Sequence, residues 1–279
     1  MKKAVVGILM LGLIITPIGN SVGMGQKLET EETIEANEEA RKEYLAKQEK
    51  EREKLKKKVP KLIEKLETAK EFKRERIIHE LGRSRDPRAV KALANVVLID
   101  TDIKIRSFAI ERLGVLGYYQ NEDVTLKEAL NDFAVPALKT ALNNENLTVK
   151  AAEALYRLGE KGLARPILLK KGSFGVLVDA RDETVVPYLK ARLQSEDPMK
   201  RLSASYGLID FNEISLALPV LEDIMKSCDD KFIRASAIGA LEKINTEKAL
   251  SIIESALKDE DPYVRQQSKK AIKRMRKNK

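Results

Sequence analysis

The chain has 279 residues, 43% hydrophobic and 34% charged but only 5% aromatic, with no tryptophan, so it can bury an ample core built from aliphatic side chains. One cysteine, Cys228, excludes an intramolecular disulfide, and one histidine, His79, leaves most metal and acid–base chemistries without their usual groups. The formal net charge of +9 permits anionic partners but does not require them.

Met1-Lys2-Lys3 is a basic start, and Ala4 to Thr16 is an apolar run that ends at Pro17. Ser21-Val22-Gly23 then offers small residues before Met24. This order reads as a secretory signal over residues 1–23, with an uncleaved N-terminal membrane anchor as the alternative. The run falls short of the roughly 20 residues that a spanning helix needs. An exported protein, periplasmic or secreted, is expected. Residues 24–57 read as a charged spacer, helical in its second half. Glu29, Glu31, Glu32, Glu35, Glu38 and Glu39 form an acidic front, and opposite charges then recur at helical spacing up to Lys56-Lys57-Lys58.

From residue 58 a short pattern repeats. Val59-Pro60-Lys61-Leu62, Val90-Lys91-Ala92-Leu93, Val135-Pro136-Ala137-Leu138, Arg165-Pro166-Ile167-Leu168, Val186-Pro187-Tyr188-Leu189, Leu218-Pro219-Val220-Leu221 and Leu250-Ser251-Ile252-Ile253 align on one register. They recur about every 31 residues, with one interval near 45 and one near 21. Each opens an amphipathic helix, and Pro60 is taken to start a new one. A second helix follows in each unit, led by Arg106, Arg201, Arg234 and Arg265, with small residues and then large apolar ones at packing spacing. In the first unit it is expected over Phe72 to Leu81, closed by Gly82 as a C-cap. Asp261-Pro262 reads as an N-cap followed by a first-turn proline. One such pair cannot bury its own apolar stripe, so the units must stack into an all-α solenoid of about seven helix pairs over residues 58–279.

With these residues in view, the chain resembles HEAT repeats, in particular the short bacterial type with Asp-Pro-x-Val-Arg at the second helix. The resemblance implies that the second helices line a concave face. It also implies an internal ladder of aspartate and arginine, carried over to Asp261 and Arg265 and more loosely to Arg106, Arg201 and Arg234. Thr148 stands where the third repeat should have its arginine, and the fourth repeat has no such position.

Helical spacing turns the residues two, five and nine after the arginine position away from the packed seam. The strip is Phe108, Glu111 and Val115, then Lys150, Glu153 and Arg157, then Ser203, Tyr206 and Asp210, then Ser236, Gly239 and Lys243, then Gln267, Lys270 and Arg274, with Phe108 or Tyr206 as apolar anchors for a partner. The long interval holds an insertion over about Gly117 to Phe133. Its Tyr118-Tyr119 pair either contacts a partner or covers the insertion's own small core. The short interval, Gly172 to Ala180, lacks room for a full second helix and should bend the stack. The run of lysines and arginines after Arg265 suits a solvated terminal repeat or contact with an anionic membrane surface.

No nucleophile, phosphate-loop or dinucleotide motif appears. The reading is a non-enzymatic exported scaffold for a protein or peptide partner, with no cofactor, catalytic residue, metal site or small-molecule substrate. Two alternatives come from the same resemblance: a phycobilin-lyase-type enzyme and a nucleic-acid-binding HEAT-like protein. A leader argues against both, and the lack of tryptophan argues against base stacking. The oligomeric state stays open.

Overall fold

The computed structural model describes residues 31–277, and the expected signal over residues 1–23 lies outside them. Every regular element among the described residues is helical. The helices pair in chain order: α1 (Glu31–Thr68) with α2 (Glu71–Ser84), then α3 (Pro87–Ile99) with α4 (Ile103–Leu116). The next first helix is α5 (Val124–Ala129), which runs through a π turn, Leu130–Ala134, into α6 (Val135–Ala141) and pairs with α7 (Thr148–Arg157). Then come α8 (Lys161–Lys171) with α9 (Gly175–Asp179), and α10 (Val186–Arg192) with α11 (Pro198–Asp210). The last pairs are α12 (Ile214–Ser227) with α13 (Lys231–Ile244), and α14 (Glu247–Ser255) with α15 (Pro262–Lys277). These are the seven expected pairs, stacked so that α2, α4 and α7 touch in sequence, as do α11, α13 and α15. Between the two sets stands α9, a helix of five residues, which is the truncated repeat.

Aspartate N-caps set the helix starts. The carboxylates of Asp86, Asp102, Asp197 and Asp230 each accept a backbone N–H of the first turn. Asp261 does the same for Tyr263 at 2.8 Å. Each bond satisfies a donor that has no partner inside its helix.

Two expected boundaries fall elsewhere. Pro60 does not begin a helix: α1 continues through it, so the charged spacer and the first repeat share one helix of 38 residues. Proline leaves the carbonyl four residues earlier without its donor. Here that carbonyl, on Lys56, accepts from Arg88 Nη2 at 3.3 Å, a contact supplied by the next repeat. Gly82 does not end α2 either. It lies buried within the helix, where an added Cβ would meet Arg112 Cβ at 3.0 Å. The cap is Arg85, in the left-handed region at φ 51°. Gly82 is therefore selected for close approach of α2 and α4.

The core begins at Val59, the first buried side chain among the described residues. It forms two apolar clusters, one from Val59 to Ala217 and one from Leu202 to Met275. Both draw on α11, which contributes Ala204 and Leu208 to the first and Leu202 to the second.

Candidate functional site

The arginine register builds the joints between repeats. Arg234 is almost fully buried and donates in two directions. Its Nε and Nη2 bond both oxygens of Asp259, at 2.9 and 2.8 Å, in the next repeat. Its Nη1 bonds the carbonyls of Cys228 and Asp229, at 2.7 and 3.1 Å, in its own turn. Arg265 repeats the second half of this arrangement, with Nη1 at 2.6 Å from Asp259 O and 2.8 Å from Glu260 O. Thr148, which has no guanidinium, does the same work with its hydroxyl, bonding Leu142 O at 3.1 Å and Asn144 O at 2.8 Å.

The ladder differs in detail from what the family pattern implied. The acid of the rung is Asp259, not Asp261. Asp261 is occupied as the cap of α15 and by Lys231 at 3.2 Å. Its backbone N–H in turn bonds Asp259 Oδ1 at 2.9 Å, so the two acids divide the labour. Arg201 reaches Asp223 at 3.0 Å on the next first helix, and Arg106 turns instead to Val97 O, at 2.7 Å, in its own repeat.

The strip on the second helices stays accessible or half-accessible along its length. At its N-terminal end α2, α4 and α7 frame an opening of about 580 Å³. Phe108 and Ile103 form an apolar wall, Leu147 closes the far side, and Glu111 and Lys150 pair across it. At the other end the cations are already engaged. Lys243 pairs with Asp210 at 2.7 Å, and Arg274 clasps Glu242 through two bonds of 2.5 and 2.7 Å. Lys270 is exposed and has no ion-pair partner among the described residues. Tyr206 bridges α11 to α13: its hydroxyl donates to Ser236 O at 2.8 Å and lies 2.7 Å from where a Cβ on Gly239 would sit. Burial, with the charge of Glu242 beside it, pushes the Tyr206 phenol up to about 12.

The two tyrosines of the insertion part ways. The Arg85 guanidinium stacks 3.2 Å from the Tyr119 ring centre, and Tyr119 packs against the core. Tyr118 is half exposed and accepts from Arg157 Nε at 3.0 Å. The insertion thus ties the first repeat to the third, and only Tyr118 offers a surface. His79 is exposed on α2; partial burial, then the neighbouring charges of Arg112 and Arg83, hold its pKa below the usual value.

Residues 218–279 match a family model described as HEAT repeats, and the paired helices before them continue the same stacking. The fold is an all-α, HEAT-like solenoid. Three solved structures are similar to it. One is an engineered protein, 20% identical, covering 79% of this chain and 97% of its own, with a TM-score of 0.32. Another is the complex of CpcE and CpcF of phycocyanin lyase from Nostoc sp., 17% identical, covering 78% and 93%, at 0.44. The third is human deoxyhypusine hydroxylase in complex with glycerol, 16% identical, covering 79% and 85%, at 0.32. No curated protein sequence matches.

Three features of this HEAT-like solenoid escape a reading of the sequence alone. Arg74 is a further ladder residue, 2.6 Å from Asp100 in the next repeat; it is followed by Ile77 where the other repeats place a small residue. Asp182, after α9, is a buried junction. It accepts Tyr156 OH at 2.6 Å, Arg165 Nε at 2.7 Å and Thr184 Oγ1 at 2.6 Å. The first-helix face carries an apolar groove of about 800 Å³ between α1, α3 and α6, walled by Pro60, Ile63, Leu98, Phe133 and Pro136. Lys91 sits 5.4 Å over the Phe133 ring there. Exposed Leu98 and Phe133 in otherwise amphipathic helices are the one sequence signal for it.

Proposed function

We propose that the protein is an exported, non-enzymatic scaffold that holds a peptide or protein partner along its second-helix face. The observation that carries the reading is the opening at Phe108, an apolar wall beside a charged pair, set in a strip whose side chains are exposed or half-exposed among the described residues. Such a surface pairs an anchor pocket with polar groups that fix register. Lys270, unpaired further along the strip, supplies electrostatic attraction to an acidic partner segment.

A photo-crosslinking aromatic residue in place of Phe108 tests this in the envelope fraction. The expected adduct is a polypeptide; an adduct with a tetrapyrrole or nucleic acid overturns the reading. With the captured partner, Lys270→Glu is expected to slow association and flatten its salt dependence. It leaves the Arg274–Glu242 clasp intact, so circular dichroism stays unchanged. Export is checked separately by N-terminal sequencing of the native protein: a start near Met24 is expected, and an intact Met1 in a membrane fraction would show an anchor instead.

A further inference from the structure

The last three repeats share a pattern that the ladder does not use. Counting back from Arg201, Arg234 and Arg265, the fifth residue is acidic and the second is large and apolar: Glu196 and Met199, Asp229 and Phe232, Glu260 and Tyr263. All six are exposed, Phe232 to 61%. They lie where each first helix turns into its second, on the edge of the solenoid rather than on the second-helix strip. The rings of Phe232 and Tyr263 stand 5.8 Å apart, so the apolar side chains join across repeats.

Nothing in the repeat itself demands this. The same two positions hold Thr101 and Lys104 in the second repeat and Asn143 and Asn146 in the third. Nor are the acids neutralised. Nearby Lys200 and Lys231 are engaged by the caps Asp197 and Asp261, at 3.9 and 3.2 Å. Glu196 and Asp229 have no cation partner among the described residues. Glu260 touches Arg234 only at 3.4 Å, with its side chain 84% exposed. Two of the three repeats therefore display a carboxylate with no cation partner among the described residues, and the third an exposed one held only at 3.4 Å, each beside a solvated apolar side chain, on a chain whose net charge is +9.

We propose that this edge is a second docking surface, for an extended, lysine- or arginine-rich segment of a partner protein. Packed helices lie about 8–10 Å apart, and a segment in the extended polyproline II conformation advances about 3.1 Å per residue with three residues per turn, so every third side chain shares a face. Every third residue of such a segment meets the next repeat. An apolar residue at that interval fits between Met199, Phe232 and Tyr263, and basic residues between them face Glu196, Asp229 and Glu260. Charge selects the segment, and apolar contact sets its register.

The test uses the full chain and two fluorescent synthetic peptides. One has leucine at every third position with lysine between; the other has glutamate in place of lysine. Fluorescence anisotropy at low salt is expected to show binding of the lysine peptide only, weakened about tenfold by the double variant Met199→Ala, Phe232→Ala. Phe108→Ala, on the other face, is expected to bind like wild type. These side chains are exposed, so the variants keep the wild-type melting temperature. Equal binding of both peptides overturns the proposal. So does undiminished binding of the lysine peptide by the double variant, which would place it on the acidic start of α1.

Discussion

Asp182→Ala is expected to destabilise the array by about 4 kcal/mol, the largest loss from any single exposed-to-buried contact described above. The carboxylate is almost fully buried, and three side chains converge on it. Removing it strands the Tyr156 hydroxyl, whose ring is buried, and leaves the Arg165 guanidinium without its partner. Asp182→Asn keeps an acceptor and should lose about half as much. Urea unfolding of both variants checks the order. The same site predicts a pH effect. Burial opposes ionisation of Asp182, but hydrogen bonds from Thr184, Tyr156 and Arg165 outweigh it and hold the carboxyl well below the usual range. A depressed folded-state pKa stabilises the fold above the unfolded value of about 3.9, and that stabilisation is lost as pH falls through the folded value. Acid unfolding of wild type below about pH 4 should therefore be steeper than that of Asp182→Asn. Parallel acid titrations would remove Asp182 from this role.

Arg234→Ala is expected to cost about 3 kcal/mol, because it leaves Asp259 buried without a counter-charge and two turn carbonyls without donors. Arg234→Lys should restore little, since a single ammonium cannot grip a carboxylate and two carbonyls on opposite sides. A double-mutant cycle with Asp259→Ala isolates the rung. In a stack where each repeat touches only its neighbours, the loss should fall on the end of the array. Amide exchange is expected to quicken in α14 and α15 before it does in α4 or α7. Melting equal to wild type would mean that Arg234 serves a ligand rather than the joint.

What the sequence allowed to be read, and what it did not, follows from distance along the chain. The period, the seven helix pairs, the truncated unit at α9 and the cap at Asp261 depend on residues a turn or two apart. Contacts a full repeat apart were hidden. Arg88 reaches back to Lys56 O, the carbonyl that Pro60 leaves without its donor inside α1. Asp259 rather than Asp261 completes the rung because Asp261 is already committed to its helix. Lys243 and Arg274 looked free on the strip, yet their acids, Asp210 and Glu242, lie 33 and 32 residues earlier. That separation is one repeat, so a search for opposite charges one period apart would have found both. Gly82 misled because glycine serves chain reversal and close packing alike, and only the neighbour, Arg112, decides between them.

The short α9 has a mechanical consequence. Elsewhere the second helices are ten to sixteen residues long, and a change of angle would have to separate a longer seam of side chains. Between α7 and α11 the only second helix is five residues long, with Val176 and Leu177 as its buried side chains. The angle between the two halves of the solenoid is thus set over the shortest lever arm in the stack. A partner that grips the second-helix face on both sides of α9 turns the halves against less packed surface there than at any other joint. Its fit to one half is then coupled to its fit to the other.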